Sequence, residues 1–292
     1  MNASLTQPRL NHVQCLRPKQ LARLAYWEWG DPANPKVLLC LHGLTRQGRD
    51  FDTLARAMCD RYRVVCPDMP GRGHSDWLTD PLGYQVPAYV ADVVTLLARL
   101  NADCLHVVGT SLGGLIALLL ASMPKSPIER LVLNDVGPEL PLEALNRIGT
   151  YVGAPLHWDD ETSAFTYLGF VSASFGPHTP EQWAALSRPM LRPDGAGFKL
   201  HYDPQIAAVF QGVTPELAAA NDAFLWQAYD NIRCPTLVIR GAESDLLLPT
   251  TAQAMTQRGP RAHCHELAGI GHAPTLVQDD QVVVVRSFLS LS

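Results

Sequence analysis

Residues 105–114, with the one-letter sequence LHVVGTSLGG, place a serine between two glycines directly after an apolar run. The run is typical of a strand buried on both faces of a parallel sheet, and residues 112–123 have the periodicity of a helix. Ser111 therefore lies at a sharp turn between a strand and a helix, which Gly109 and Gly113 permit by letting the two elements approach closely. The turn exposes the serine hydroxyl above the sheet, beside the positive end of the helix dipole.

Glycine-rich turns between a strand and a helix also occur in nucleotide-binding sites. A dinucleotide-binding turn needs glycine at the position of Ser111, and a P-loop needs a lysine after the glycines. This turn meets neither requirement. The pattern therefore indicates a serine nucleophile.

Further apolar runs and helical patterns alternate on both sides of this turn. The runs at 36–41, 63–66, 131–133 and 236–239 are typical of buried strands, and helical periodicity is found at 51–58 and 86–100. Such alternation predicts an α/β fold with a mostly parallel sheet flanked by helices. We expect residues 1–136 and 233–292 to form this core, with the first dozen residues as a loose lead-in.

Residues 137–232 interrupt the alternation and predict an inserted subdomain. Pro235 lies 100 positions after Asp135, which is too far for a crossover between adjacent strands. The insertion holds 13 of the 22 aromatic residues and has 11 acids against 4 bases, a net charge of −7. Its proline-containing joints favour several short helices rather than strands, so we expect a helical cap.

The overall composition excludes several classes of protein. The chain has 292 residues, 47% of them hydrophobic and 17% charged, which excludes a disordered or coiled-coil protein. The net charge of −5 argues against a nucleic-acid partner. Seven scattered cysteines, without a signal peptide or a membrane-spanning run, predict reduced thiols in a cytoplasmic protein that does not bind membranes.

A serine nucleophile needs a base and an acid that orients the base, and both are expected after the serine in the chain. His272, framed by glycines in the sequence GIGHAP, is the expected base. Asp245, in the loop after the strand at 236–239, is the expected acid. Asp135 lies in the analogous loop after the preceding strand and is the alternative acid.

The remaining predictions about the site concern oxyanion stabilisation and metal binding. The backbone amides of Leu44 and Leu112 are the expected oxyanion donors. In the loop 67–75, Asp68 and Ser75 are expected to hold neighbouring loops rather than to take part in chemistry. His263 and His265 alternate along a strand as metal ligands do, but a third ligand is not evident nearby, so no metal site is expected.

Along nearly its whole length the chain resembles the α/β-hydrolase superfamily. The motifs of that family match His42-Gly43, residues 68–75 (DMPGRGHS), 109–114 (GTSLGG) and 241–245 (GAESD), and Gly271-His272. The resemblance implies an eight-stranded, mostly parallel sheet, a helical cap, and hydrolysis through an acyl-serine without a cofactor. The haloalkane dehalogenases and epoxide hydrolases of the superfamily have aspartate at the position of Ser111, so the serine argues against both.

Among the serine members, the chain is most similar to carboxylesterases, enol-lactonases and hydrolases of aromatic ring-cleavage products. We expect hydrolysis of a small, mainly uncharged carboxylic ester or lactone, since an aromatic, acidic cap favours such a substrate. The alternative is carbon–carbon bond hydrolysis of vinylogous diketo acids, with Arg46 or Arg49 binding a carboxylate. The usual oxyanion loop of those enzymes is longer and contains glycine and proline, whereas Leu44 follows Gly43 here. A non-catalytic ligand receptor on the same fold is a third possibility.

Overall fold

The computed structural model describes residues 5–291 and contains two β-sheets in that range. The strands are β1 (Arg9–Leu16), β2 (Leu21–Trp29), β3 (Lys36–Leu41), β4 (Arg63–Pro67), β5 (Cys104–Thr110), β6 (Ile128–Asn134), β7 (His157–Trp158), β8 (Leu191–Asp194), β9 (Gly197–Leu200), β10 (Thr236–Gly241) and β11 (His263–Leu267). The larger sheet has eight strands in the order β1-β2-β4-β3-β5-β6-β10-β11. Only β2 runs against the others within it. The predicted eight-stranded, mostly parallel sheet is confirmed.

The helices pack on both faces of this sheet, as the alternation of strands and helices predicts. The α-helices of the described residues are α1 (Asp52–Met58), α2 (Val86–Leu100), α3 (Leu112–Ser122), α4 (Leu142–Tyr151), α5 (Glu161–Val171), α6 (Pro180–Ser187), α7 (Pro215–Asp230), α8 (Pro249–Gln257) and α9 (Asp279–Leu289), of which α4 to α7 belong to residues 137–232. Consecutive residues of a central strand belong to different apolar clusters: Leu39 lies in one cluster and Leu38 in the other. The central strands are therefore buried on both faces, which explains their continuous apolar sequences.

The expected loose lead-in is wrong, because residues from Arg9 onward form β1. This strand pairs with β2 in an antiparallel register from Arg9–Glu28 to Leu16–Leu21. Exposed residues alternate along it with partly or fully buried ones, as in a strand with one face toward solvent. Its sequence does not alternate strictly between polar and apolar residues, so the local signal is weak, and its pairing with β2 makes it a strand.

Residues 137–232, which we call the cap segment, contain α4 to α7 and also a small three-stranded antiparallel sheet, β7-β9-β8. The expectation of helices without strands is therefore incomplete. Strands β8 and β9 form a hairpin whose turn includes Gly195 at φ +60°, a conformation that suits glycine. Pro193 lies within β8 and pairs with Phe198, so proline here belongs to a short strand rather than to a helix.

The cap segment has a small apolar core of its own. Ala164, Leu168, Met190 and Leu191 are buried in it, and aromatic side chains pack around them: Trp158, Phe165, Tyr167 and Phe198. Several of the aromatic residues that distinguish this segment in the sequence therefore stabilise the segment itself. Tyr151, Phe175 and Tyr202 line the site described next, and Tyr167 contributes to both.

Candidate active site

Ser111 occupies the predicted turn between β5 and α3, with backbone angles of φ 52° and ψ −117°. Positive φ is uncommon for a residue with a side chain, so the surrounding structure must enforce it. A Cβ atom at Gly109 would lie 2.4 Å from the carbonyl oxygen of Gly113, and one at Gly113 would lie 2.0 Å from that of Leu41. Glycine is therefore required at both positions for the turn to form.

The side chains of Ser111, His272 and Asp135 form a continuous chain of hydrogen bonds. His272 Nε2 lies 2.9 Å from Ser111 Oγ, and His272 Nδ1 lies 2.7 Å from Asp135 Oδ2. The Asp135 carboxylate is fully buried, and the imidazole is 15% exposed. The carboxylate accepts a hydrogen bond from Nδ1–H, so Nε2 is left as the acceptor of the serine proton.

The structure corrects the predicted acid from Asp245 to Asp135. The Asp245 carboxylate lies 2.7 Å from the Arg147 guanidinium, and the two side chains are 52% and 49% exposed. The alternative left open by the sequence is the one that contacts His272. Both aspartates follow adjacent parallel strands, β6 and β10, so strand order alone does not distinguish them.

Asp135 is held in place by the backbone of β10 and the loop after it. Its φ of +54° turns the side chain toward that loop. Oδ1 accepts a hydrogen bond from the Gly241 amide at 2.9 Å, and Oδ2 accepts one from Ser244 Oγ at 2.6 Å. The backbone amide of Asp135 donates to the Ile239 carbonyl at 2.7 Å. Ser244, which directly precedes Asp245 in the chain, thus holds the Asp135 carboxylate. The sequence analysis missed this role.

The predicted oxyanion loop lies against the nucleophile. A Cβ atom at Gly43 would be 3.8 Å from Ser111 Cβ, so the backbone of this loop is close to the serine. Leu44 follows it and lines the pocket, and Leu112 is the first residue of α3. Their roles as oxyanion donors stay predictions.

Buried polar side chains fix the oxyanion loop. His42 accepts a hydrogen bond from the Met69 amide at Nε2, and its Nδ1 lies 2.6 Å from the Gly43 carbonyl. Complete burial lowers the pKa of His42 to about 3, so the ring is neutral at physiological pH. Arg72 donates to the Leu44 carbonyl at 2.7 Å.

The loop at 67–75 has the structural role predicted for it. Asp68 accepts hydrogen bonds from the backbone amides of Gly48 and His74, and burial raises its pKa to about 6. Ser75 Oγ accepts a hydrogen bond from the Ala25 amide at 2.8 Å and donates to the Asp68 carbonyl. These contacts join the loop to β2 and to the oxyanion loop.

A cavity of about 460 Å³ opens above Ser111 between the sheet core and the cap segment. Most of its lining is apolar or aromatic, and the aromatic residues that the cap segment contributes are Tyr151, Tyr167, Phe175 and Tyr202. The cap segment also contacts both loops beside the serine. Arg46 donates to the Leu186 carbonyl at 3.0 Å, and the Gly271 amide donates to the Ser174 carbonyl at 2.6 Å.

The two arginines considered as carboxylate ligands already have acidic partners. Arg46 lines the cavity, but it binds the Asp50 carboxylate with two nitrogens at 2.6 and 2.7 Å. Arg49 binds Asp52 in the same manner and lies over the ring of Trp27. In the described structure, neither presents an unpaired guanidinium to the cavity.

One group of residues has the composition of a metal site, at the opposite end of β5 from Ser111. Cys104, His106 and Glu129 have ligand atoms within 4.8 Å of one another. His263 and His265, the pair considered from sequence, lie exposed on β11. Among the described residues, no helix is long and apolar enough for a membrane span, and the seven cysteines are unpaired.

Comparison with known proteins identifies the family of this chain. A family model described as "Alpha/beta hydrolase family" matches residues 38–286. The chain belongs to the alpha/beta hydrolase family. The predicted resemblance and fold are thereby confirmed.

Members of this family with known names and structures match the chain over nearly its whole length. A 3-hydroxybutyrate-oligomer hydrolase of Cupriavidus necator is 53% identical, covering 97% of this chain and 98% of that protein. A putative hydrolase from Rickettsia typhi superposes with a TM-score of 0.87 at 32% identity, covering 96% and 98% of the two chains. An α/β hydrolase from Novosphingobium aromaticivorans has a TM-score of 0.84 at 35% identity, covering 97% and 98%. The chain is an enzyme of this fold, a carboxylic ester hydrolase.

Proposed function

We propose that this hydrolase cleaves short, mainly uncharged carboxylic esters through an acyl-serine intermediate, and that oligoesters of short hydroxyacids are its substrate class. The hydrogen-bonded chain from Ser111 through His272 to Asp135 carries the proposal. It supplies a nucleophile, a base and an orienting acid in one connected geometry. A ligand receptor would not need that arrangement.

In the first half of the reaction, His272 Nε2 takes the proton of Ser111 as Oγ attacks the ester carbonyl carbon. Negative charge develops on the carbonyl oxygen, and the backbone amides of Leu44 and Leu112 stabilise it. The carbon–oxygen bond of the ester then breaks. The imidazolium returns its proton to the departing alcohol, which leaves an acyl group on Ser111.

Water completes the reaction by the same route. His272 takes a proton from the water molecule, and the resulting hydroxide attacks the acyl carbon. The bond to Ser111 Oγ breaks, the serine regains its proton from the imidazolium, and the carboxylic acid leaves. Asp135 holds the imidazole in one orientation and stabilises its charged form in both halves.

The shape and lining of the cavity support a small ester with an apolar chain. We assign the cap segment, residues 137–232, as a cap over Ser111, because its side chains line the upper part of the cavity. The relative from Cupriavidus necator is named for 3-hydroxybutyrate oligomers. Such an oligomer is uncharged along its chain and carries one carboxylate at its end, which agrees with the expected mainly uncharged substrate.

A substrate panel tests this proposal. Wild-type protein is assayed on the linear trimer of 3-hydroxybutyrate, 4-nitrophenyl butyrate, a lactone and a vinylogous diketo acid. We expect the trimer to have a higher kcat/KM than the diketo acid, and the Ser111→Ala variant to lose on the order of 10⁴- to 10⁶-fold in kcat. Faster cleavage of the diketo acid than of every ester would favour the carbon–carbon hydrolase instead.

A further inference from the structure

One cationic side chain that lines the cavity above Ser111 has no acidic partner within the described lining. Within the described structure, the Asp, Glu, Lys and Arg residues that line it are Arg46, Asp50 and Arg147. Arg46 and Asp50 neutralise each other through two short hydrogen bonds. Arg147, on the first helix of the cap segment, therefore gives the lining a surplus positive charge.

The partner of Arg147 lies outside the cavity lining. Its guanidinium contacts Asp245 at 2.7 Å, and about half of each side chain is exposed to solvent. Exposed ion pairs of this kind contribute little to stability, because water screens them. Replacing the Asp245 carboxylate by another carboxylate therefore costs little, whereas the less exposed pair of Arg46 and Asp50, joined by two short hydrogen bonds, would resist such exchange.

The chemistry of a hydroxyacid oligoester determines which half of the substrate carries its charge. The chain has a free hydroxyl at one end and a free carboxylate at the other. Whichever ester bond is cleaved, the acyl half contains the hydroxyl end and the departing alcohol contains the carboxylate. A cation that binds the carboxylate thus acts on the leaving group alone.

We propose that Arg147 binds the terminal carboxylate of the substrate's alcohol half and takes it in exchange for Asp245. This inference rests on the proposed function and narrows it to esters whose leaving alcohol is anionic. Guanidinium binds carboxylate through paired, charge-assisted hydrogen bonds, which gives direction as well as affinity. Arg147 is thereby a specificity residue in the cap segment, although that segment is acidic overall.

The proposal predicts different effects of Arg147 on the two halves of the reaction, acylation and deacylation. Loss of Arg147 weakens substrate binding and acylation, since the carboxylate is present in both. After the alcohol departs the acyl-enzyme no longer contains it, so hydrolysis of the acyl-serine does not depend on Arg147. A free hydroxyacid product should also inhibit competitively through the same contact.

The test compares the trimer of 3-hydroxybutyrate with its terminal primary amide, which lacks the charge and adds no further ester bond. The measured quantity is the ratio of kcat/KM for the free acid to kcat/KM for the amide. We expect Arg147→Gln to lower this ratio by about 10- to 100-fold, and Arg147→Lys to restore part of it. Arg188→Gln is the matched control, because Arg188 is a cap-segment arginine in an exposed ion pair with Glu161.

Two further readouts distinguish recognition from a general loss of structure. The inhibition constant of 3-hydroxybutyrate should rise in Arg147→Gln by about the same factor as the ratio falls. Single-turnover decay of the acyl-enzyme formed from 4-nitrophenyl 3-hydroxybutyrate should match that of Arg188→Gln. A slowed decay would assign Arg147 to the support of the catalytic centre and overturn the inference.

The outcomes separate this inference from the proposed function. If both trimers are hydrolysed and the ratio in Arg147→Gln equals that of Arg188→Gln, carboxylate recognition by Arg147 is wrong and the oligoester proposal stands. If wild-type protein cleaves 4-nitrophenyl butyrate but neither trimer, the oligoester proposal itself fails, and this inference fails with it.

Discussion

The loops after β6 and β10 each present an aspartate at the carboxyl end of a buried strand, yet the two side chains have different environments. Asp135 is fully buried and contacts His272. Asp245 is half exposed and contacts Arg147 on the cap segment. One loop contacts the histidine beside Ser111, and the other contacts an arginine of the cap segment.

The difference lies in the backbone and not in the residue type. Asp135 follows β6 directly and has positive φ, which brings its carboxylate to the amide of Gly241. Asp245 comes four residues after Gly241, beyond Ser244, whose hydroxyl fills the space beside Asp135. The acid and its supporting serine thus come from adjacent strands.

The largest expected effect separates the two aspartates by activity. Asp135→Asn should lower kcat on 4-nitrophenyl butyrate by about 10⁴-fold, because an amide at this position leaves His272 in the wrong tautomer. Circular dichroism checks that the variant is folded. A loss of less than about tenfold would show that the acid acts elsewhere.

The stability of the protein in acid should depend on His42, the buried histidine beside the oxyanion loop. Its folded-state pKa is lowered to about 3 by burial, below the usual value of 6.5. The unfolded chain therefore binds the proton first, and the stability that neutral His42 contributes is present above pH 6.5 and is lost as the pH falls toward 3. Between pH 7 and 4.5, urea denaturation should show wild type losing about 2–3 kcal/mol more than His42→Gln. Parallel losses in the two proteins would contradict this assignment.

Loss of the hydrogen bond between Ser244 and Asp135 should lower activity by a smaller factor. Ser244→Ala removes the hydrogen bond to Oδ2, the oxygen that also contacts His272. We expect kcat to fall about tenfold and its dependence on pH to shift, because the carboxylate loses one of its donors. A lower melting temperature with unchanged kcat and pH profile would indicate that Ser244 only stabilises the loop through the amides of Leu246 and Leu247.

The smallest effect belongs to Asp245. Removing its charge by Asp245→Asn breaks an exposed ion pair, so the free energy of unfolding should change by less than about 1 kcal/mol. Hydrolysis of 4-nitrophenyl butyrate should stay within about twofold of wild type. A loss comparable to that of Asp135→Asn would reverse the comparison between the two loops.

The parts of this molecule that could be predicted from sequence are those encoded locally. The turn at Ser111 depends on neighbouring glycines, and the buried strands depend on continuous apolar runs, so both are visible in short windows. Which aspartate contacts His272 depends on the positive φ of Asp135 and on its hydrogen bond with Ser244, which lies after the neighbouring strand. Neither feature can be read from a short window of sequence. The pairing of β1 with β2 and the hairpin of the cap segment likewise depend on tertiary contacts, which override local signals.

The most direct test of the central claim measures the reactivity of Ser111 itself. Wild type, Asp135→Asn and Asp245→Asn are mixed with a fluorophosphonate, and intact-mass spectrometry follows the addition of one phosphonyl group per chain. The account predicts equal labelling rates for wild type and Asp245→Asn, a rate lower by about 10³-fold or more for Asp135→Asn, and no labelling of Ser111→Ala. Slow labelling of Asp245→Asn beside fast labelling of Asp135→Asn would contradict it.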